Sequence, residues 1–256
     1  MLAVLTLVLY LGLAPAAGAE ALEAGGQAMV LEVVDGDTLV LEDRTEVRLA
    51  GIQAPKLPLG RPGFETWPLA EEAKQALAGL ALGRVVTLTF GGRRMDRYGR
   101  LLAHLHLSDG RWIQGEMLAL GLARVYSFAD NRALVEEMLA LERAARAAGR
   151  GIWSHPFYRV IRAEETFSFI DSFQLVEGRV LKAAVVKDRG YLNFGPDWRE
   201  DFTISIAPRD RKLFEADGAG LEDLEGRLIR VRGWIKSFNG PMIEATHPEQ
   251  IELVDE

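Results

Sequence analysis

Apolar positions in the first 110 residues mostly follow the period of a β-strand. β-Branched and apolar side chains alternate or cluster between short turns, such as Asp35-Gly36, and this pattern predicts a β-meander followed by two further strands. A loop rich in proline and glycine is predicted over residues 53–67. The strand-like runs are residues 28–41, 46–52, 85–90 and 101–107.

Three segments carry apolar residues at helical spacing. The first begins at Pro68, because proline is tolerated in the first turn of a helix, and ends at Gly83. The second covers residues 114–120 and the third residues 131–148. Their predicted apolar faces are Leu69, Ala73, Ala76, Leu77 and Leu80 in the first helix, and Leu134, Met138, Leu141 and Ala145 in the third. Short strands with packed helices favour a small Greek-key barrel of the OB type over an α/β fold.

The strand pattern starts again after residue 172. We therefore predict a first domain over residues 28–155, a linker over 156–172 and a second OB-like domain over 173–254. The fold class is mainly β, or α+β, with two OB-like five-stranded barrels. The predicted strands of the second domain are residues 175–180, 191–195, 202–206, 228–235, 242–245 and 250–253, with helical fragments at 211–214 and 221–224.

Residues 1–19 have the character of a signal peptide. Leu2 to Leu13 is an apolar run, and small residues up to Ala19 suit cleavage there. An uncleaved membrane anchor is the alternative, since no Lys or Arg precedes the run. Either reading predicts a protein outside the cytoplasm, either periplasmic or extracellular. The chain has no cysteine, so disulfides and Cys-based metal sites are excluded.

Charge is distributed unevenly along the chain. The net charge is −7, yet residues 28–155 hold 16 basic and 16 acidic side chains, whereas residues 156–256 hold 14 basic and 19 acidic ones. Because affinity for polyanions comes from Lys and Arg, nucleic-acid contact must depend on a local patch in the first domain. The acidic second domain favours a protein partner, and a membrane contact requires that the leader is retained.

The turn Asp35-Gly36-Asp37 presents two carboxylates, the ligand type that a hard cation such as calcium prefers. Arg48 and Arg100 are suited to gripping a phosphate, because guanidinium groups pair bidentately with phosphoryl oxygens. No further carboxylate follows in the segment from Gln53 to Lys56. These side chains are therefore better suited to binding a phosphate than to binding a metal ion.

A second cluster lies in the turn after residue 90. Arg93, Arg94, Arg97 and Arg100 surround Tyr98 and predict a patch that tracks a phosphate backbone and offers a ring for stacking. Nearby, His104 and His106 share one face of a predicted strand. Without a carboxylate or cysteine beside them, packing is favoured over metal ligation.

Five motifs occur in order at compatible spacings and together resemble the staphylococcal nuclease (thermonuclease) family over about residues 29–154. The resemblance implies an OB-type barrel with packed helices and a calcium-dependent phosphodiester hydrolase acting on nucleic acid. The motifs are Asp35-Gly36-Asp37-Thr38, the stretch from Arg48 to Pro55, Asp96-Arg97-Tyr98-Gly99-Arg100, Gly121-Leu122-Ala123-Arg124-Val125 and Gly151-Ile152-Trp153-Ser154.

The resemblance assigns roles position by position. Asp37 occupies the place of a calcium ligand, and Arg48 and Arg100 match the arginines that grip the scissile phosphate. Gln53 stands where the family has a second metal-binding aspartate, and Lys56 where it has the glutamate that activates water. An ammonium group in place of a carboxylate repels a metal ion, so the sequence predicts a site that holds an anion.

We therefore expect an exported protein with a degenerate active site, which binds phosphate or nucleic acid without efficient cleavage. An active metal-dependent nuclease for DNA or RNA stays open through three routes: Glu65 as a surrogate base, Asp35 as a second carboxylate, or a desolvated Lys56 as the base. Calcium is the implied cofactor, and the two lost carboxylates count against it. A structural protein of the cell envelope is the third alternative.

Overall fold

The first half of the chain closes into a five-stranded barrel. The computed structural model describes residues 22–215 and 220–254, so the predicted leader over residues 1–19 lies outside it. The barrel order is β1-β2-β3-β6-β5, and β1 pairs with β5 to close it. A short pair, β4 and β7, lies beside the barrel. The strands are β1 (Glu23–Asp35), β2 (Thr38–Leu41), β3 (Glu46–Leu49), β4 (Ile52–Gln53), β5 (Val85–Phe90), β6 (Leu101–Leu107) and β7 (Arg124–Val125).

Three helices cover the barrel: α1 (Ala70–Ala81), α2 (Ile113–Ala119) and α3 (Val135–Ala147). The first and third begin later than predicted, because Leu69 and Leu134 adopt left-handed backbone angles and redirect the chain just before each helix. Ala73 and Leu77 are buried as the apolar pattern predicts. The barrel and its helices therefore share one hydrophobic core.

The second domain is a curled sheet of eight strands around its own core. Its order is β10-β11-β12-β14-β13-β9-β8, with β15 paired to β13. The fold class predicted from the sequence is thus confirmed. The elements are β8 (Ile161–Arg162), β9 (Phe173–Arg179), β10 (Lys182–Val186), β11 (Arg189–Asn193), β12 (Thr203–Ile206), α4 (Pro208–Phe214), β13 (Leu228–Ser237), β14 (Pro241–Ala245) and β15 (Ile251–Leu253).

All six predicted strand segments of this domain are present, and the sheet contains two strands that were not predicted, β8 and β10. β9 pairs with β13, whereas β10, which was not predicted, pairs with β11. The switch occurs between two adjacent residues: the Val180 amide donates to Arg227 O and the Leu181 amide to Asn193 O. The chain thus passes from one neighbouring strand to another at this point, and the sheet curls.

The segment predicted as a linker, residues 156–172, contacts both domains. It forms 3₁₀ turns at Pro156–Tyr158 and Ala163–Phe169 and the strand β8, which runs parallel to β9. Ile161 belongs to the second core, while the hydroxyl of Tyr158 donates to Pro68 O of the first domain at 2.7 Å. The segment therefore ties the two domains together.

Charged groups join the two domains. Arg132 pairs with Glu249 at 2.6 Å, and the buried Arg232 on β13 binds Glu142 on α3 at 3.0 Å. Ser127 and His247 share a hydrogen bond of 2.7 Å. Part of the second domain's acidity thus faces arginines of the first. Among the described residues, no helix combines the length and the apolar character needed to cross a membrane.

Candidate functional site

The acidic turn between β1 and β2 lies against helix α1. A Cβ atom on Gly36 would come within 2.7 Å of the Cβ atoms of both Ala54 and Ala73, so a larger residue would push the turn outward. Asp35 and Asp37 are both buried, and the Asp37 amide donates to Asp35 Oδ1 at 3.0 Å. The absence of a side chain at Gly36 thus allows two carboxylates to be held in the interior.

The ammonium of Lys56 lies between these carboxylates. Its Nζ is 2.7 Å from both Oδ1 and Oδ2 of Asp37 and 3.4 Å from Oδ2 of Asp35. Lys56 was expected from the sequence beside the site as an extra positive charge. The structure places it inside the acidic turn as the cation that the two carboxylates share.

Other donors complete the environment of Asp37. Its Oδ2 accepts the Ala54 amide at 2.6 Å and lies 3.2 Å from Nη2 of Arg48. Its Oδ1 accepts the Thr38 hydroxyl at 3.3 Å. A carboxylate offers about four lone-pair sites, so Lys56 and these donors fill them.

The pKa values of the two aspartates are shifted in opposite directions. Burial alone would raise the pKa of Asp37, but the positive charges of Arg48 and Lys56 outweigh it and hold the pKa at about 2. For Asp35, burial and the neighbouring Asp37 charge raise the pKa above its ordinary value. Asp37 is therefore the carboxylate that stays charged.

Arg48 is bound to the backbone around the turn. Its Nη1 donates to Leu49 O at 2.9 Å and to Asp37 O at 3.3 Å, and its Nη2 donates to Ile52 O at 2.6 Å. The guanidinium thus fastens the end of β3 to β4, in addition to facing the adjoining cleft.

Gln53, the residue in place of a second metal-binding aspartate, is bound by a buried arginine. Its Oε1 accepts Nε of Arg124 at 3.0 Å and Nη2 at 2.7 Å. The Arg124 guanidinium also lies 4.6 Å from the ring centre of Phe173 in the second domain. Burial lowers the pKa of Arg124 to about 10. A neutral amide suits this position because it satisfies Arg124 while adding no charge.

An open cleft of about 510 Å³ begins on the other side of Arg48. Four arginines line it against two aspartates, so its wall has a formal charge of +2 in a chain of net −7. Four aromatic rings also line it. These residues are Arg48, Arg93, Arg97, Arg100, Asp96, Asp130, Tyr98, Tyr126, Phe128 and Trp234.

The predicted arginine patch is largely brought together in this cleft. Tyr98 lies beneath the guanidinium groups of Arg97 and Arg100, at 4.8 and 5.5 Å from its ring centre. Arg100 also pairs with Asp96 at 2.7 Å, and Arg93 lies 3.7 Å from Asp130. Arg94 points elsewhere, against Glu23 and the ring of Phe90. Arg94 is therefore not part of the cleft lining.

Other candidates lie apart from the acidic turn. Glu65 is exposed in the loop before α1, and none of the contacts seen within residues 22–215 and 220–254 joins it to Asp35, Asp37 or Lys56. His104 and His106 pack against Trp112, with ring centres 5.7 and 6.5 Å away. In the described ranges, no cluster of three or more His, Asp or Glu side chains could hold a metal ion.

Sequence reasoning missed the contributions that come from distant parts of the chain. Tyr126, Phe128 and Trp234 were not assigned to the site, yet all three line the cleft. In the second domain, Trp198, Trp234 and Phe238 are exposed instead of being buried in its core. An aromatic residue on the outward face of a strand was the only available signal.

Comparison with known proteins supports one family. The model of the family described as Staphylococcal nuclease homologue matches residues 46–155, which contain Arg48, Gln53, Lys56 and Arg100 and leave the second domain unmatched. Protein ParB of Escherichia coli is 36% identical over 138 residues, which cover 50% of this chain and 72% of that protein.

Two further relatives carry nuclease names. An "Uncharacterized endonuclease" of Escherichia coli O157:H7 is 30% identical over 128 residues, 49% of this chain and 75% of that protein. A "Thermonuclease" of Staphylococcus hyicus is 28% identical over 130 residues, 49% of this chain and 75% of that protein. With the barrel, the acidic turn and the arginine cleft in place, the chain belongs to the staphylococcal nuclease homologue family.

Proposed function

We propose that this protein binds single-stranded nucleic acid or nucleotide phosphates in the arginine cleft without efficiently hydrolysing them. The observation that carries the proposal is the position of Lys56, whose Nζ lies 2.7 Å from both oxygens of Asp37. An internal ammonium thus occupies the carboxylates that a divalent cation would need.

Calcium, the metal implied by the family, does not fit these residues. Within the described part of the chain, Asp35 and Asp37 are the carboxylates at the turn, and Lys56 donates to both. Gln53 is engaged by Arg124. A metal ion would have to displace an ammonium from a buried carboxylate, with no further anionic ligand to compensate.

A general base is also lacking at the expected position. Lys56 uses its protons to donate to Asp35 and Asp37, so it is a donor rather than an acceptor here. Glu65 is exposed and would have to move to approach the turn. Loss of general-base catalysis alone lowers rates by about 10²–10⁴-fold.

The cleft itself is suited to a polyanion with aromatic bases. Arg97 and Arg100 present guanidinium groups for phosphate, and Tyr98 between them presents an exposed ring. Positive side chains beside stacking rings are the common arrangement in proteins that bind single strands. The local charge of the cleft explains how a net-acidic chain can bind an anion.

The test is a calorimetric titration of the protein with a 3′,5′-bisphosphorylated nucleotide, with and without calcium, alongside an assay for release of products from DNA and RNA. We expect nucleotide binding that calcium does not strengthen and no measurable turnover. Arg111→Ala serves as a control, because Arg111 is an exposed arginine paired with Asp109 away from the cleft. Absence of nucleotide binding would refute the proposal.

An active metal-dependent nuclease is the second candidate, favoured by the endonuclease names of the relatives. It requires calcium-dependent turnover that Arg48→Ala abolishes. A structural envelope protein would show neither binding nor turnover. Export remains part of the proposal on the strength of the apolar run and small residues in positions 1–19, and cell fractionation would test it.

A further inference from the structure

The second domain contributes one side chain to the arginine cleft. Trp234 lies on β13, and its ring lines the cleft together with Tyr126 and Phe128 of the first domain. Its neighbours in sequence, Gly233 and Ile235, are buried, so the alternation of the strand turns Trp234 outward. Packing within the second core therefore does not explain a tryptophan at this position.

The orientation of Trp234 is fixed from the first domain. Its Nε1 donates to the hydroxyl of Tyr126 at 3.0 Å. Tyr126 is itself held by its amide, which donates to Gly51 O at 2.7 Å, and by the ring of Phe173, 4.8 Å away. The polar edge of the indole is thus satisfied, while 45% of the residue's surface stays exposed.

A large ring held in place but left uncovered has the properties of a stacking platform. Because the hydrogen bond already holds the Trp234 side chain in place, ligand binding loses little side-chain entropy. Every base has a π-face that can stack on the ring. The arginines of the same cleft supply sites for the phosphates that flank a base. A neutral aromatic ligand would not interact with the positive charge of the arginines. An aromatic ring beside arginines therefore favours a nucleic-acid strand as the ligand.

We infer that the second domain is part of the ligand site: Trp234 stacks on a base of a single-stranded nucleic acid whose phosphates lie against Arg97 and Arg100. This inference rests on the proposed function and extends it, because it assigns ligand contact to the domain outside the family match. It also gives a reason for the contacts between the two domains, since they keep Trp234 beside Tyr126.

The experiment compares Trp234→Ala, Trp234→Phe and Trp198→Ala with the wild-type chain. Trp198 is a matched control, because it is an exposed tryptophan of the same domain that lines a different pocket with Tyr191 and Phe238. The probes are a labelled oligothymidylate of about six nucleotides, within the site size of an OB-type module, and inorganic tripolyphosphate, which has charge but no base.

We expect Trp234→Ala to raise the Kd for the oligonucleotide about 5- to 150-fold, the range that loss of one stacked base produces. Binding of tripolyphosphate should be unchanged, and Trp198→Ala should bind both probes as the wild type does. Trp234→Phe keeps a ring, so it should retain most of the affinity. Because phenylalanine is a mild replacement, this variant also protects the test if Trp234→Ala folds poorly: oligonucleotide should quench its tryptophan fluorescence less than that of the wild type.

Two failures can be told apart. If the wild type binds neither probe, the proposed function fails and the inference fails with it. If the wild type binds both and Trp234→Ala binds the oligonucleotide equally well, only the inference is overturned. Equal weakening by Trp234→Ala and Trp198→Ala, or loss of tripolyphosphate binding in Trp234→Ala, would also overturn it.

Discussion

Arg232 of the second domain and Glu142 of helix α3 form a two-pronged ion pair inside the protein. Each Nη of Arg232 lies 3.0 Å from a carboxylate oxygen of Glu142, and Nη2 also binds Glu252 at 2.5 Å. Glu142 in turn accepts the Val125 amide at 2.6 Å. The pair thus links the second domain to the strand that precedes Tyr126, at the edge of the cleft.

Removal of one partner of this pair should be costly. Arg232→Met would leave two buried carboxylates without their main counter-ion, so we expect the free energy of unfolding to fall by about 3–5 kcal/mol. Urea denaturation measures the change. The control is Arg143→Met, because the half-exposed Arg143 contacts Glu252 at 3.3 Å and should contribute less than about 1 kcal/mol. Equal effects of the two substitutions would argue against a structural role of the buried pair.

Lys56 should behave as a built-in substitute for a metal ion. Lys56→Gln leaves Asp35 and Asp37 facing each other with less positive charge, so we expect a loss of about 1–3 kcal/mol in unfolding free energy. Calcium should restore part of it, about 1.4 kcal/mol at tenfold excess over a millimolar Kd. The Tm of the wild type should not respond to calcium.

Thermal unfolding with and without calcium measures this effect. Lys182→Gln is the control, because Lys182 is an exposed lysine of the second domain on β10. A wild-type Tm that rises with calcium would mean that the metal displaces Lys56 or binds elsewhere. Displacement of Lys56 would overturn the proposed function in favour of the nuclease alternative, and a rise that Lys56→Gln leaves unchanged would place the metal elsewhere.

Arg48 and Arg100 should differ although the family resemblance gives them the same role. Arg48 donates to three backbone carbonyls, so Arg48→Ala should lower the unfolding free energy by about 2–4 kcal/mol as well as weaken phosphate binding. Arg100 is paired with Asp96 and lies over the ring of Tyr98, with a partly exposed side chain. Arg100→Ala should therefore cost less than about 1 kcal/mol of stability.

The binding measurement separates the two arginines further. Oligonucleotide affinity measured against salt concentration should lose about one unit of its logarithmic slope in Arg100→Ala. Arg111→Ala should leave the slope unchanged, because the pairing of Arg111 with Asp109 resembles that of Arg100 with Asp96 but lies outside the cleft. An unaltered slope in Arg100→Ala would remove Arg100 from the phosphate contacts.

Local patterns in the sequence were sufficient for the barrel. Alternation over β5 and the helical spacing of Ala73 and Leu77 are properties of neighbouring residues, and the structure confirms them. The predicted strand ended correctly near Val180, but β10 escaped prediction, because its pairing with β11 instead of β13 depends on which strand lies beside it. The sequence around Val180 and Leu181 does not indicate which strand each of them pairs with.

The candidate site was predictable in composition but not in geometry. Asp37, Arg48 and Lys56 could be singled out by residue type, yet the direction of the Lys56 side chain depends on a partner 19 residues away. The Arg124–Gln53 contact joins residues 71 apart, and the Trp234–Tyr126 contact residues 108 apart. Such contacts follow from how elements dock, which no short motif encodes.

His104 should make the protein sensitive to mild acid. Burial, and secondarily the nearby His106, lower the pKa of His104 to about 4 from 6.5. The unfolded chain therefore takes up a proton near pH 6.5, whereas the folded chain does so only near pH 4. Acidification through that window favours the unfolded state, and the corresponding loss is about 3 kcal/mol.

The substitution His104→Leu tests this by removing the titrating ring. Within the described part of the chain neither ring nitrogen of His104 has a hydrogen-bond partner, so leucine leaves no donor or acceptor unpaired. The variant should match or exceed the wild type at pH 7 and gain an advantage as the pH falls from 6.5 to 4. Urea denaturation across that range measures the difference.

His247 remains in both proteins, and burial lowers its pKa to about 4 as well. Both proteins therefore still lose stability in acid, and the variant lacks only the contribution of His104. Parallel curves for the two proteins would mean that the His104 pocket admits a proton, and with it water, far more readily than its burial indicates.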